Sequence, residues 1–90
     1  MTVITFPPGD RPERNRGLMR FSAVVDGKKV ECAVSFRALI KPFRGDLYNP
    51  EGTFKANRAY IERIAAQKIL HGLFEPDATI LLRTEDFPMQ

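Results

Sequence analysis

One stretch, Asn49 to Gly72, sets the scale of anything this chain can build. Asn49 is a good N-cap, because its side-chain oxygen can accept from an orphan N–H one turn in. Pro50 follows where its missing N–H costs nothing, and Glu51 sets negative charge against the positive end of the helix dipole. Gly72 can take the left-handed conformation that a helix end wants, and Leu73 follows it as the apolar residue beyond such a cap. Phe54, Ile61, Ile64, Ala65 and Ile69 fall on one broad face, while Lys55, Glu62, Arg63 and Gln67 point elsewhere. A single helix over this range is roughly 33 Å long. A compact chain of 90 residues has a radius of gyration of about 12 Å. One such helix therefore spans the domain, and the rest of the chain packs along it.

The rest must supply a sheet. Leu18 to Ser35 alternates about Asp26-Gly27, a preferred two-residue type I′ turn. That turn pairs Val25 with Lys28, Ala23 with Val30, Phe21 with Cys32 and Met19 with Val34. Met19, Phe21, Ala23, Val30, Cys32 and Val34 then share one face, and Arg20, Ser22, Val24, Lys29, Glu31 and Ala33 the other. A slip of one residue would mix the two sets, so the register is fixed by the pattern. Ahead of the hairpin, Val3 to Phe6 reads as a short edge strand ended by Pro7-Pro8. Gly9 to Gly17 reads as a mobile loop. After the hairpin, Ser35 can cap a short helix over 36–41, whose Phe36, Leu39 and Ile40 form a stripe that Pro42 ends. A turn through Gly45-Asp46 leads into the long helix. Near the end, Thr79 to Arg83 reads as a strand, with Ile80, Leu81 and Leu82 nearly continuous. Such a run suits a strand covered on both faces, or one in the middle of the sheet. The expected fold class is α+β in the order β-β-β-α-α-β. A four-stranded, mostly antiparallel sheet carries one short and one long helix on the hairpin's apolar face.

Composition narrows the function classes. Ninety residues at 43% hydrophobic content suffice for one domain, residues 1–90, with a real core. No apolar run approaches the roughly 18 residues of a membrane span, and Met1 to Pro8 lacks the pattern of a signal peptide. The single cysteine excludes an internal disulfide, so a cytoplasmic location is expected. Net charge is +3, unevenly placed: residues 1–74 carry 13 bases and 7 acids. Glu75, Asp77, Glu85 and Asp86 oppose only Arg83 beyond them.

Taken together, these residues resemble a family. Ile4-Thr5-Phe6 comes first, and Val25-Asp26-Gly27 leads to Cys32-Ala33-Val34-Ser35. Phe54, Asn57-Arg58, Ile61-Glu62, Ala65 and Lys68 follow, and Ile80-Leu81-Leu82, Thr84 and Asp86-Phe87 close the chain. The pattern, over about residues 3–87, is similar to the small bacterial proteins grouped as domain of unknown function family 1488. Where that family has a tryptophan-containing segment before the hairpin, this chain has no tryptophan, and Gly9 to Gly17 stands there. The resemblance implies a small soluble bacterial α+β protein and assigns no activity to any residue.

The residues offer little chemistry. Cys32, opposite Phe21 on the apolar face, is expected to be an inert buried thiol. His71 is the only histidine, so no histidine pair or triad exists in one chain. It suits the negative end of the long helix, with Glu75 and Asp77 near enough in sequence to suggest a cluster. Asn57, at the edge of the apolar face, is expected to bond backbone across a helix–sheet seam, and Arg58 to pair with Glu62 one turn on. Glu31 is expected in a cross-strand pair with Arg20 or Ser22. No cofactor or metal ligand set stands out, and enzyme activity is not expected. Two binding classes remain. The first is a protein-binding or homo-oligomeric adaptor, using the sheet edge of the Val3–Phe6 strand or an exposed strip of the long helix; separately, Asn57, Arg58 and His71 are a candidate polar site. The second is a weak nucleic-acid binder using Arg11, Arg14 and Arg16. The outer sheet face carries no aromatic, which disfavours base stacking there.

Overall fold

A computed structural model of the chain describes residues 2–7, 13–40 and 49–87. The sheet has five strands: β1 (Ile4–Thr5), β2 (Glu13–Asn15), β3 (Leu18–Val25), β4 (Lys28–Ser35) and β5 (Ile80–Leu82). The order is β1-β3-β4-β5, and β2 lies along β3 on the same side as β1. The β3–β4 hairpin has the register its pattern dictates, including Phe21 opposite Cys32 and Val25 opposite Lys28. Both residues of its turn have positive φ, Asp26 at 51° and Gly27 at 86°, as a type I′ turn requires. Asp26 also fixes the start of β1, accepting from the Val3 N–H at 2.8 Å and donating its own N–H to the Val3 carbonyl at 2.9 Å.

Part of the expected loop is strand. Glu13–Asn15 pairs antiparallel with β3 through a second two-residue turn, Arg16 at φ 51° and Gly17 at φ 77°. Arginine in the left-handed region costs energy, so Arg16-Gly17 carries none of the sequence signal of an Asn-Gly or Asp-Gly turn. The turn is held from outside, because the Gly17 carbonyl accepts from the Phe36 N–H at 2.9 Å.

α1 (Phe36–Ile40) starts where Ser35 caps it, with Ser35 Oγ accepting from the Ala38 N–H at 3.1 Å. Pro42 and the turn through Gly45-Asp46 lie outside the described residues. The expected long helix is two helices, α2 (Pro50–Ala56) and α3 (Arg58–Leu70). Asn49 caps the first through Oδ1 to the Gly52 N–H at 3.0 Å. The break falls at Asn57, whose φ of −120° and ψ of 18° leave the helical region. Its side-chain amide folds back to donate to the Thr53 carbonyl at 2.9 Å, sharing that acceptor with its own N–H at 3.2 Å, which also reaches the Phe54 carbonyl at 3.1 Å. This bond lies within the helix rather than across a seam to the sheet. α3 ends as expected at Gly72, φ 68°: Leu73 N–H reaches the Lys68 carbonyl at 2.9 Å and Gly72 N–H that of Ile69 at 3.1 Å, the two bonds of a Schellman cap.

Both α2 and α3 cover the hairpin's apolar face. Met19, Phe21, Ala23, Cys32 and Val34 are buried against Phe54, Ile61, Ile64 and Ala65. Phe21 sits in an aromatic row, its ring 6.2 Å from that of Phe6 and 5.3 Å from that of Phe54. The break at Asn57 lets one run of sequence serve two directions, Phe54 from α2 and Ile61 from α3. The radius of gyration is 12.3 Å.

β5 is not in the middle of the sheet. It is an edge strand, parallel to β4, with Ile80 opposite Cys32 and Leu82 opposite Val34. Those two side chains face the core and are fully buried, while Leu81 between them turns to the other face and is half-buried. A parallel partner for β4 needs a crossover, and the helical half of the chain supplies it. The outer edge is closed by a side chain: Lys68 Nζ donates to the Leu81 carbonyl at 2.8 Å and to Asp86 Oδ2 at 3.1 Å. The same Asp86 oxygen accepts from the Arg83 N–H at 2.8 Å, tying the terminal 3-10 turn (Thr84–Asp86) to the strand.

Candidate groove on the open sheet face

The helices cover one side of the sheet. On the other, a groove of about 390 Å³ runs over β3, β4 and β5. Its floor is Leu18, Ala33 and Leu81, each half-buried and each an outward residue of its own strand. Period-two alternation puts all three there: Ala33 pairs with Arg20 on one side and Leu81 on the other. Arg20 and Glu31 rise from the floor. Glu31 pairs along its own strand with Lys29 at 3.4 Å instead of reaching across to Arg20. No ion pair of Arg20 occurs among the described residues.

The wall is the short connection from Glu75 to Thr79. It is tightly closed: Ala78 N–H donates to the Glu75 carbonyl, and Glu75 N–H to that of Thr79, both at 2.8 Å. The closure holds Ala78 at φ 68°, a left-handed conformation that costs a residue with a Cβ about 1–2 kcal/mol. Asp77 Oδ1 accepts from Thr79 Oγ1 at 2.6 Å and from the Thr79 N–H at 3.2 Å. Among the described residues Oδ2 takes no hydrogen bond. The Thr79 hydroxyl, then its N–H, hold the Asp77 carboxyl below the usual carboxylate range, and the Arg20 charge adds a smaller push the same way. Arg83 braces the outside of the wall with a two-pronged pair to Glu75, at 2.9 and 3.3 Å. Just before the wall, Leu70, Leu73 and Phe74 are exposed apolar residues around the α3 cap.

The residues singled out from sequence lie elsewhere. Arg11 is outside the described residues. Arg14 shares the inner face with Met19, and its guanidinium lies 5.6 Å from the centre of the Phe36 ring. Arg16 is exposed in its turn. The Phe36–Gly17 bond brings Arg37 of α1 to the same end, a neighbour that spacing along the chain does not reveal. Arg58 pairs with Glu62 at 2.8 Å, as expected, and lies over the Phe54 ring. Asn57 is spent on Thr53. His71 is at the far end of α3 as its C-cap, so these three do not converge. Nor do His71, Glu75 and Asp77: no group of three metal-ligating side chains forms among the described residues. Cys32 is buried, and burial, then the neighbouring Glu31 charge, push its thiol from 9.0 up to about 12. No described helix is long and apolar enough to cross a membrane.

Comparison with known proteins gives a consistent answer. The family described as "Protein of unknown function (DUF1488)" matches residues 4–82. Among solved structures, the chain is similar to the crystal structure at 1.60 Å of a protein of unknown function from that family, from Shewanella loihica PV-4. The TM-score is 0.75 at 18% identity, covering 88% of this chain and 90% of that one, a likeness of fold. No curated protein matches the sequence.

Proposed function

Since the chain belongs to the family of proteins of unknown function DUF1488, which brings a fold and no activity, we propose that it is a non-enzymatic protein-binding module of the bacterial cytoplasm, docking its partner on the open sheet face. The observation that carries this reading is the groove itself. Three half-buried apolar side chains form a floor, and a strained, multiply bonded connection forms a wall beside it. Strain held in place by surrounding bonds is a mark of surfaces used for recognition. A photo-crosslinking residue at Ala33, in the floor, is the test, with the same residue at the exposed Lys55 of α2 as control. Crosslinked protein bands in cells at Ala33 and not at Lys55 support the reading. Equal yields, or none at either position, overturn it.

A second reading, nucleic-acid binding, is favoured by one observation: the fold gathers Arg14, Arg16 and Arg37 at one end of the molecule. Phosphate contacts would make affinity fall with salt, with a slope of about −0.7 to −0.9 per contact. Fluorescence anisotropy of mixed-sequence DNA and RNA, at low and moderate salt, decides it. Micromolar, salt-sensitive binding lost in the Arg14→Ala, Arg16→Ala, Arg37→Ala triple variant supports this reading, and no binding at low salt removes it.

A further inference from the structure

We infer that the occupant of the groove is a second copy of this chain, docked face to face about a two-fold axis. This rests on the open sheet face being a docking surface, as proposed above, and adds what covers it. The argument is charge complementarity within the groove. Arg20 stands on β3, on one side of β4, without an ion pair among the described residues. Asp77 stands in the wall beyond β5, on the other side of β4, with one carboxylate oxygen taking no hydrogen bond among those residues. Between them lie Ala33 and Leu81 of the floor, and the groove's other two carboxylates, Glu31 and Glu75, are already paired within the chain, with Lys29 and Arg83. A two-fold axis lying above that floor, along the direction of β4, stacks the faces and exchanges the two sides. Each Arg20 then meets the second copy's Asp77, and the apolar floors meet each other. A closed dimer needs such a patch, one that is its own complement. An acidic or a basic partner would satisfy one of these two charges and oppose the other.

Size sets the expected strength. β3 and β4, eight residues each, are about 26 Å long, and with the shorter β1, β2 and β5 beside them at a spacing of about 4.8 Å the face is roughly 400 Å². A standard stable interface buries about 800 Å² per partner. Association is therefore expected in the micromolar range, and it is sought by sedimentation equilibrium of the full chain from about 10 to about 500 µM.

The decisive variants are Arg20→Asp and Asp77→Arg. Each gives positions 20 and 77 charges of the same sign, so each alone is expected to dimerise at least about tenfold more weakly than the wild type. Mixed in equal amounts, the two are expected to form a heterodimer, because two carboxylates at positions 20 and 77 of one copy then face two guanidinium groups at those positions of the other. Only pairing between copies predicts that recovery; a charge pair within one chain does not. Circular dichroism melts of each variant confirm that it folds, and Leu81→Asp, which leaves both charges in place, is expected to abolish association in the same assay. A wild-type protein that stays monomeric through the whole range overturns the inference. So does a mixture no more associated than its components. Neither result touches the Ala33 crosslinking test, in which a band between this chain and a different protein would leave the docking surface standing with another occupant.

Discussion

Ala78 shows how much a single backbone angle reveals. Its φ of 68° is enforced by the hydrogen bonds that close the wall, and glycine would sit there without strain. Ala78→Gly is expected to raise stability by about 0.5–1 kcal/mol in a urea melt, the relief of strain exceeding the entropy that glycine adds to the unfolded chain. Nothing in the run Glu75-Pro76-Asp77-Ala78-Thr79 announces a left-handed residue at Ala78, so this strain was invisible to pattern. Cys32 is the opposite case. Alternation placed it on the apolar face, and its thiol is pushed from 9.0 up to about 12. The sign follows. Below about pH 9 the thiol is neutral in both states, and its burial counts in full. Above that the unfolded chain releases a proton that the folded chain keeps, so stability falls as pH rises toward 12. Urea midpoints near pH 8 and near pH 10.5 are expected to show a steeper decline for the wild type than for Cys32→Ala.

Among the elements, the hairpin was fully legible, because two strands read separately give one apolar face in only one register. Its centre is Phe21, packed between Phe6 and Phe54. Phe21→Ala is expected to cost about 3–5 kcal/mol, read as a loss of denaturation midpoint in urea. The helices were half legible. Both ends of the Asn49–Gly72 run are capped as the sequence indicates, while the break comes at Asn57, whose amide folds back onto the Thr53 carbonyl beside its own N–H. Such a local side-chain bond is not registered by hydrophobic periodicity. β2 escaped notice because its turn uses arginine at a position where glycine or asparagine would have been the signal.

Across the whole molecule, the groove could not be read from sequence, because it exists only once β5 has paired with β4 and brought the Glu75–Thr79 wall over the hairpin's outer face. The continuous run Ile80-Leu81-Leu82 suggested a strand covered on both sides, and the structure gives that a different meaning: two residues serve the core and one serves the groove floor. Asp86 is what locks this arrangement, since one carboxylate oxygen receives Lys68 of α3 and the Arg83 N–H after β5. Asp86→Ala removes both bonds and leaves the ammonium of Lys68, whose side chain is 11% exposed, with the Leu81 carbonyl. The expected cost is about 1–3 kcal/mol in a thermal or urea melt, less than a fully buried pair because Asp86 still meets solvent.

The parallel pairing of β5 also orders events in time. A chain emerging from the ribosome presents β3 and β4 early, and these can close through a two-residue turn as soon as they appear. Cys32 must then wait for Ile80, with every helix made in between, before the sheet acquires its last strand. Closing so long a loop is the slow, entropically costly step. Until it occurs, the β4 edge stands bare, an invitation to pair with the wrong strand. The groove is thus finished by the same late event that makes the fold safe from misassociation, and a half-made chain has none.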